Sequence, residues 1–324
     1  MPARIWLAGA TGYIGRAVAR ELVDRGHEVT ALVRPGNGTS AEAIGALAGC
    51  RVLEADVTEA DALAAALARE PTDAVFSCLA SRSGLAADAR RIDHGANAAL
   101  LAAARRAGAR QFVLLSAICV QRPLLSFQHA KLAFERELAA SGLPFSIVRP
   151  TAFFKSLAGQ VERVRAGRPY LMFGDGELTA CKPIGEADLA RYMVDCLDDP
   201  ARTGRILPIG GPGPAITPRA QGELLCRLAG VEPRLRSVPV RLFDVIGSVL
   251  GPLGRVSGRL AAKAELARIG RYYATESMLL WDEARRAYDA DATPETGSET
   301  LEAFYERVLR EGLAGQELGA AKVF

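Results

Sequence analysis

Arg4-Ile5-Trp6-Leu7-Ala8-Gly9-Ala10-Thr11-Gly12-Tyr13-Ile14-Gly15 decides how this chain is read. The apolar run predicts a short buried strand over Arg4–Ala8, and the glycines that follow predict a tight loop opening a helix. One glycine makes the turn, another lets backbone N–H groups come close to a bound group, and the third lets helix and strand pack tightly. The unpaired N–H groups and positive dipole end of a helix start attract phosphate. Strand, glycine loop, helix and second strand fall in order. The stretch therefore reads as a pyrophosphate cradle, with Gly9, Thr11, Gly12, Tyr13, Ile14 and Gly15 as dinucleotide-binding positions.

Outward from this loop, strands are predicted at Glu28–Val33, Arg51–Glu54, Asp73–Cys78, Gln111–Leu115 and Phe145–Val148. Alanine-rich helical segments such as Glu59–Arg69 and Asp88–Ala107 separate them. Such alternation gives βαβ units and a parallel sheet covered on both faces. The predicted fold is α/β, a Rossmann-type doubly wound parallel sheet. The GxxGxxG spacing resembles that of short-chain dehydrogenase/reductases, here of the atypical or extended kind. Residues 1–150 read as the NADP-binding domain. Residues 151–324 read as a smaller C-terminal substrate-binding part interleaved with the last sheet strands. There a strand is predicted at Arg205–Ile209 and helices at Glu186–Leu197, Pro218–Leu228 and Glu299–Glu311.

Composition narrows the function. The chain has 324 residues, 49% apolar and 24% charged, with a net charge of +3. That charge is too small to argue for nucleic acid. The six cysteines are scattered without a CxxC pair and the three histidines are far apart, so no metal site is expected. Three of the cysteines lie in apolar surroundings and read as buried free thiols of a reducing compartment. No apolar run approaches the ~18 residues of a membrane span. The greasiest stretch, Leu242–Leu253, is short and broken, and suits a membrane surface or an apolar ligand. The N-terminus enters a strand at once, leaving no room for a targeting peptide, so a cytoplasmic protein, with membrane association through that stretch, is expected.

The second strand ends at Arg34, where NAD enzymes usually place Asp or Glu for the ribose 2′-hydroxyl. An arginine there suits the 2′-phosphate of NADPH. A charge-assisted hydrogen bond is worth roughly 1.5–3 kcal/mol, about ten- to a hundred-fold in affinity. Asp56 and Val57 are placed at the adenine. Cys78, Leu79 and Ala80 are placed beneath the adenosine ribose, and Pro150, Thr151 and Phe153 near the nicotinamide.

Carbonyl reductases of this class use a Ser with a Tyr-x-x-x-Lys pair. Ser116 ends the fifth strand at the expected place, and Lys131 supplies the lysine, so both are read as catalytic. The acid position holds Phe127, which has no proton to give. Either catalysis is lost and the domain senses NADPH, or the substrate has no carbonyl oxygen to protonate, as in reduction of a carbon–carbon double bond. In the second case Lys131 holds the ribose and supplies or relays the proton. The competing reading of Lys131 is a surface lysine paired with Glu135 one turn on.

Several segments resemble one family. They are FSCLASR (Phe76–Arg82), FVLLSAICVQRPLLSFQHAKLAFE (Phe112–Glu135), SIVRPTAFFKSLAGQV (Ser146–Val161), YLMFGDGELTACKPI (Tyr170–Ile184), LPIGGPG (Leu207–Gly213), IGRYYATESML (Ile269–Leu279) and REGLAGQELG (Arg310–Gly319). The chain is similar in these to the divinyl chlorophyllide 8-vinyl reductases over nearly its whole length. The resemblance implies NADPH-dependent reduction of the 8-vinyl group of 3,8-divinyl chlorophyllide a, and of divinyl protochlorophyllide a as a further substrate, to ethyl in chlorophyll or bacteriochlorophyll synthesis. Plant members carry a transit peptide, so its absence suggests a phototrophic bacterium. An unrelated 8-vinyl reductase uses flavin and iron–sulfur clusters, and the lone cysteines argue against that type.

A flat, greasy, carboxylate-bearing tetrapyrrole needs aromatic walls and a cation. Phe127, Phe154, Tyr170 and Phe173 are the expected walls, with Tyr272-Tyr273 nearby in sequence. Arg241, Arg255, Arg259, Lys263, Arg268 and Arg271 outnumber the acids between them, and suit a propionate-binding lid, a membrane-facing patch or a solvated helix face. Two other functions fit the same residues: an isoflavone-reductase-like reductase of another conjugated double bond, and a non-catalytic NADPH-sensing regulator.

Overall fold

The computed structural model describes residues 2–36, 45, 47–253 and 257–312. Arg255 and positions 313–319 of the last quoted segment lie outside them. Seven parallel strands form the main sheet: β1 (Arg4–Ala8), β2 (Glu28–Val33), β3 (Arg51–Glu54), β4 (Ala74–Ser77), β5 (Gln111–Leu115), β6 (Phe145–Pro150) and β8 (Arg205–Ile209), in the order β3-β2-β1-β4-β5-β6-β8. The order reverses between β1 and β4, and a ligand crevice opens at such a switch point beyond the carboxyl ends of the strands.

Alternation along each strand feeds two cores. β1 sends Ile5 and Leu7 to one face, where Val18 and Leu22 of the Tyr13–Asp24 helix and Leu189 and Met193 of the Glu186–Val194 helix meet them. Its Trp6 and Ala8 go to the other face, packed with Leu63, Leu100, Phe134 and Leu138. Both faces are covered, which is why the central strands are apolar throughout. At the opposite end from the crevice, the Asp73 carboxylate accepts hydrogen bonds from the Arg4 backbone N–H (2.9 Å) and Nε (3.1 Å) and lies 3.4 Å from Arg110. That ties the starts of β1, β4 and β5 together.

The second half builds its own core from Phe154, Met172, Leu225, Phe304 and Tyr305 around a two-stranded parallel sheet of β7 (Tyr170–Phe173) and β9 (Leu235–Val238). A hairpin of β10 (Leu280–Asp282) and β11 (Ala287–Asp289) follows. Two helices, Arg241–Leu253 and Gly258–Thr275, pack on each other. Phe243 seats the pair: it lies against Gly270 and stacks on Phe173 at 4.9 Å between ring centroids. No described helix is long and apolar enough to cross a membrane.

Element boundaries depart from the sequence reading where packing overrides periodicity. The helix expected over Asp88–Ala107 is three pieces: a short α-turn at Ala86–Ala89, a π-helical stretch at Arg90–Ala96 and an α-helix at Asn97–Arg106. β6 runs on to Pro150, because Arg149 and Pro150 pair with Pro208 and Ile209 of β8. Four cysteines are buried, Cys119, Cys181, Cys196 and Cys226, rather than three.

Candidate active site

The glycine loop is built as its spacing demands. Gly9 takes φ +78°, and a Cβ on it would stand 2.6 Å from the Cys78 carbonyl oxygen at the end of β4. A Cβ on Gly15 would stand 2.0 Å from the Gly9 carbonyl oxygen, so only a bare glycine lets the helix start against the turn. The Gly12 N–H donates to Gly9 O at 2.9 Å and closes the loop. The first N–H groups of the Tyr13–Asp24 helix have no intrahelical acceptor and face the crevice end of the sheet. This cradle fits a dinucleotide pyrophosphate.

Arg34 stands exposed at the end of β2. Its neighbour is Asp56, whose carboxyl is held below the ordinary range by the Thr58 N–H (2.9 Å) and hydroxyl (2.8 Å), with the Arg34 and Arg91 charges helping. Arg91 was not foreseen, and it adds a second cation at the predicted 2′-phosphate end. Val57 is buried under the sheet's second face. Cys78 and Leu79 are half-buried and Ala80 exposed, on the loop leaving β4 beside Gly9.

On the other side of the cradle, the Tyr13 ring meets Phe153 edge-on at 6.2 Å, and the Lys155 ammonium lies 4.9 Å from the Tyr13 ring centroid. The Tyr13 hydroxyl donates to Glu186, which together with burial pushes its pKa up. Thr151 is buried, and its hydroxyl donates to the Lys182 carbonyl. Pro150 and Thr151 thus form the fixed end of β6, and Phe153 is the half-buried side chain that reaches the loop. Lys155 and Glu186 carried no sequence signal, since their positions depend on the packing of residues far apart in the chain.

Ser116, Lys131, Asp93 and Asn97 line one narrow crevice with Leu114, Leu115 and Phe134. Lys131 is nine-tenths buried, which overturns the surface reading. Its Nζ lies 3.0 Å from Asp93 Oδ1, and Glu135 is occupied elsewhere. Asp93 is fully enclosed and also accepts the Ser81 hydroxyl at 2.5 Å. The wide turn of the π-helix brings Asp93 to this place, a common use of such turns. The Lys131 charge is felt at both the Cys78 and Cys119 thiols, so the ammonium sits between the loops that leave β4 and β5. The Ser116 hydroxyl donates to Glu135, whose carboxylate is paired with Arg149, with Nε at 3.1 Å. Two buried polar networks, Ser81–Asp93–Lys131 and Ser116–Glu135–Arg149, therefore stand side by side.

The helix that carries Lys131 is Ser126–Ala140. Gln128 fixes its start: the side-chain oxygen accepts the Leu124 and Leu125 N–H groups at 2.8 and 2.9 Å, and the amide donates to Cys119 O at 3.1 Å. Phe127 is half-buried in an apolar cluster with Cys119, Leu125, Tyr272, Ile269 and Met278. It faces the loop after β4, where a Cβ on Gly84 would lie 3.5 Å from its ring. Phe173 stands beneath the helix pair through Phe243. Phe154 and Tyr170 are corrections: both are core side chains, 0% and 5% exposed, and Phe154 stacks on Phe304 at 5.3 Å. An aromatic pair at a domain junction looks alike in sequence whether it lines a pocket or fills a core.

The fold and the glycine cradle define an NAD(P)H-binding protein with a Rossmann-type sheet. The family model described as NAD(P)H-binding matches residues 9–200. The NADPH complex of the Escherichia coli quinone oxidoreductase QOR2 superposes with a TM-score of 0.68 at 19% identity, over 94% of this chain and 99% of that one. That likeness concerns the fold. A chloroplastic divinyl chlorophyllide a 8-vinyl-reductase from Oryza sativa subsp. indica is 53% identical over 331 residues, spanning 99% of this chain and 82% of the relative. One from Arabidopsis thaliana is 47% identical, over 97% and 79%. The chain belongs to the divinyl chlorophyllide a 8-vinyl-reductase family.

Proposed function

We propose that this protein reduces the 8-vinyl group of 3,8-divinyl chlorophyllide a to ethyl with NADPH. The observation that carries this reading is Phe127: the chain keeps the glycine cradle, Ser116 and Lys131, while the position of the usual phenol carries an apolar ring packed with Cys119, Leu125 and Tyr272. A site so built has kept its cofactor machinery while giving up the acid that serves an oxygen.

NADPH, when bound, supplies hydride to the terminal carbon of the vinyl group. The macrocycle spreads the resulting negative charge, so no oxyanion needs a donor at position 127. In this reading Arg34, with Arg91 beside it, holds the 2′-phosphate, and the first turn of the Tyr13–Asp24 helix holds the pyrophosphate. Asp56 and Val57 border the adenine, and Cys78, Leu79 and Ala80 pass the adenosine ribose. Lys131, fixed by Asp93, binds the nicotinamide ribose, and Pro150, Thr151 and Phe153 back the nicotinamide. Ser116, tied to Glu135, sets the floor of the crevice. Phe127, clustered with Ile269, and Phe173, against Phe243, adjoin the helix pair and in this reading border the pigment.

The test is turnover by three forms of the protein. Lys131→Ala is expected to lose most activity, and Phe127→Tyr to gain none. A fully active Lys131→Ala protein removes the lysine's role.

A peripheral membrane contact belongs to the same proposal. Leu242, Val245 and Val249 lie along one face of the Arg241–Leu253 helix, all about half exposed, with Arg241, Arg259 and Lys263 exposed nearby. Such a face suits an anionic bilayer surface. Arg268 and Arg271 are ion-paired with Glu265 and Asp244. Replacing the three apolar residues by serine is expected to abolish co-flotation with anionic vesicles; unchanged flotation excludes this face.

A further inference from the structure

Reduction of a vinyl group consumes one proton, and Phe127 supplies none. We propose that Tyr273, carried in from the Gly258–Thr275 helix, is the acid that protonates the inner carbon of the vinyl group, with the Cys119 thiol holding its hydroxyl in place. This rests on the vinyl-reductase reading above and names the donor it lacks.

The helix is seated on the site by its neighbours. Ile269 and Tyr272 pack into the cluster that contains Cys119 and Phe127, and Ile269 also closes on Gly84. The Tyr272 hydroxyl donates to the carbonyls of Cys119 (2.9 Å) and Arg122 (3.3 Å), which pins the helix to the loop leaving β5. Tyr273 meets the Tyr272 ring edge-on at 5.6 Å, and its hydroxyl is hydrogen-bonded to the Cys119 thiol. That thiol in turn lies within reach of the Lys131 charge. The phenol is therefore one side chain away from the lysine that a carbonyl reductase would pair with position 127. The Tyr273 residue keeps 39% of its surface exposed, while its hydroxyl end lies against Cys119. Desolvation around its hydroxyl, with Cys119 and Tyr272 adjacent, pushes its pKa up and keeps it protonated.

The other six tyrosines are committed elsewhere. Tyr170 and Tyr305 are buried in the C-terminal core. Tyr13 and Tyr288 donate to Glu186 and Glu276. Tyr192 lies under Arg202, and Tyr272 is bound to its two carbonyls.

The step balances as follows. The terminal carbon of the vinyl group gains a hydrogen with its electron pair from the reduced nucleotide, and the double-bond electrons move into the macrocycle. The Tyr273 O–H bond breaks as a C–H bond forms at the inner carbon. The phenolate, steadied by the Cys119 S–H, recovers a proton from water. The nucleotide is oxidised by two electrons and the vinyl group reduced by two.

Tyr273→Phe keeps the ring and removes only the acid. Its kcat is expected to fall by about 100-fold or more. NADPH affinity by fluorescence titration and pigment affinity by absorbance are expected to stay within about twofold of wild type. A kcat within threefold of wild type overturns the assignment, as does a loss of either affinity that accounts for the whole rate change. If the wild-type protein itself converts no pigment, the reductase reading fails. If it does and Tyr273→Phe does equally well, only the role of Tyr273 fails.

Discussion

Arg34 is exposed at the end of β2, and its charge and that of Arg91 both act on the Asp56 carboxylate. Arg34→Ala is expected to weaken NADPH by about ten- to a hundred-fold and NADH far less, the worth of one charge-assisted bond. Equal loss for both nucleotides in a binding titration contradicts the 2′-phosphate role. Lys131 is different, because it is bound into the fold as well as the site. Its partner Asp93 is wholly enclosed, and removing one member of a buried pair strands the other charge, at a cost of about 3–5 kcal/mol. Asp93→Ala is therefore expected to lower stability by about that amount in urea unfolding and to weaken NADPH as well. A variant as stable as wild type means that the pair is not formed.

At the scale of elements, the glycine loop is the part most constrained. A methyl on Gly15 collides with the Gly9 carbonyl at 2.0 Å, so helix and turn cannot both keep their places. Gly15→Ala is expected to abolish measurable NADPH binding in a fluorescence titration, whereas Gly247→Ala, at a helical glycine with open space around it and no left-handed backbone, is not. Comparable binding by both variants contradicts the close packing. This loop and the strands beside it were legible in the sequence because their signals are local: glycine spacing, apolar runs and a charge at a strand end. The partner of Lys131 was not. Asp93 reads as one polar residue on a continuous alanine-rich helix, and nothing local announces that Arg90–Ala96 winds as a π-helix and turns it inward. Phe154 and Tyr170 failed for a related reason, since burial of an aromatic ring depends on Phe304 and Leu225, far along the chain. Ser116 and Lys131 come together in one crevice as their spacing from β5 implied, but the Glu135–Arg149 pair beside them needed β6 in place to be seen.

For the whole molecule, the sheet's two ends have separate duties. The amino end is held by Asp73, whose carboxyl the Arg4 hydrogen bonds keep at about 2, below its ordinary value near 3.8. A folded-state value below the unfolded one gives stability that is present above about pH 4 and lost as pH falls towards 2. Asp73→Asn is expected to lower Tm at pH 7 and to flatten the loss of Tm between pH 4 and 2; an unchanged acid limb contradicts this role. The carboxyl end holds the cradle, the crevice and the helix pair, so the chemistry can be disturbed while the amino end stays intact.

The most direct measurement gives the purified protein 3,8-divinyl chlorophyllide a and NADPH deuterated at the transferable position, then examines the pigment by mass and proton spectra. The account predicts an 8-ethyl product with the nucleotide's deuterium in the terminal methyl and a solvent hydrogen on the adjoining methylene. Tight NADPH binding with the vinyl group left unreduced, as a regulator would give, or deuterium on the methylene, would contradict it.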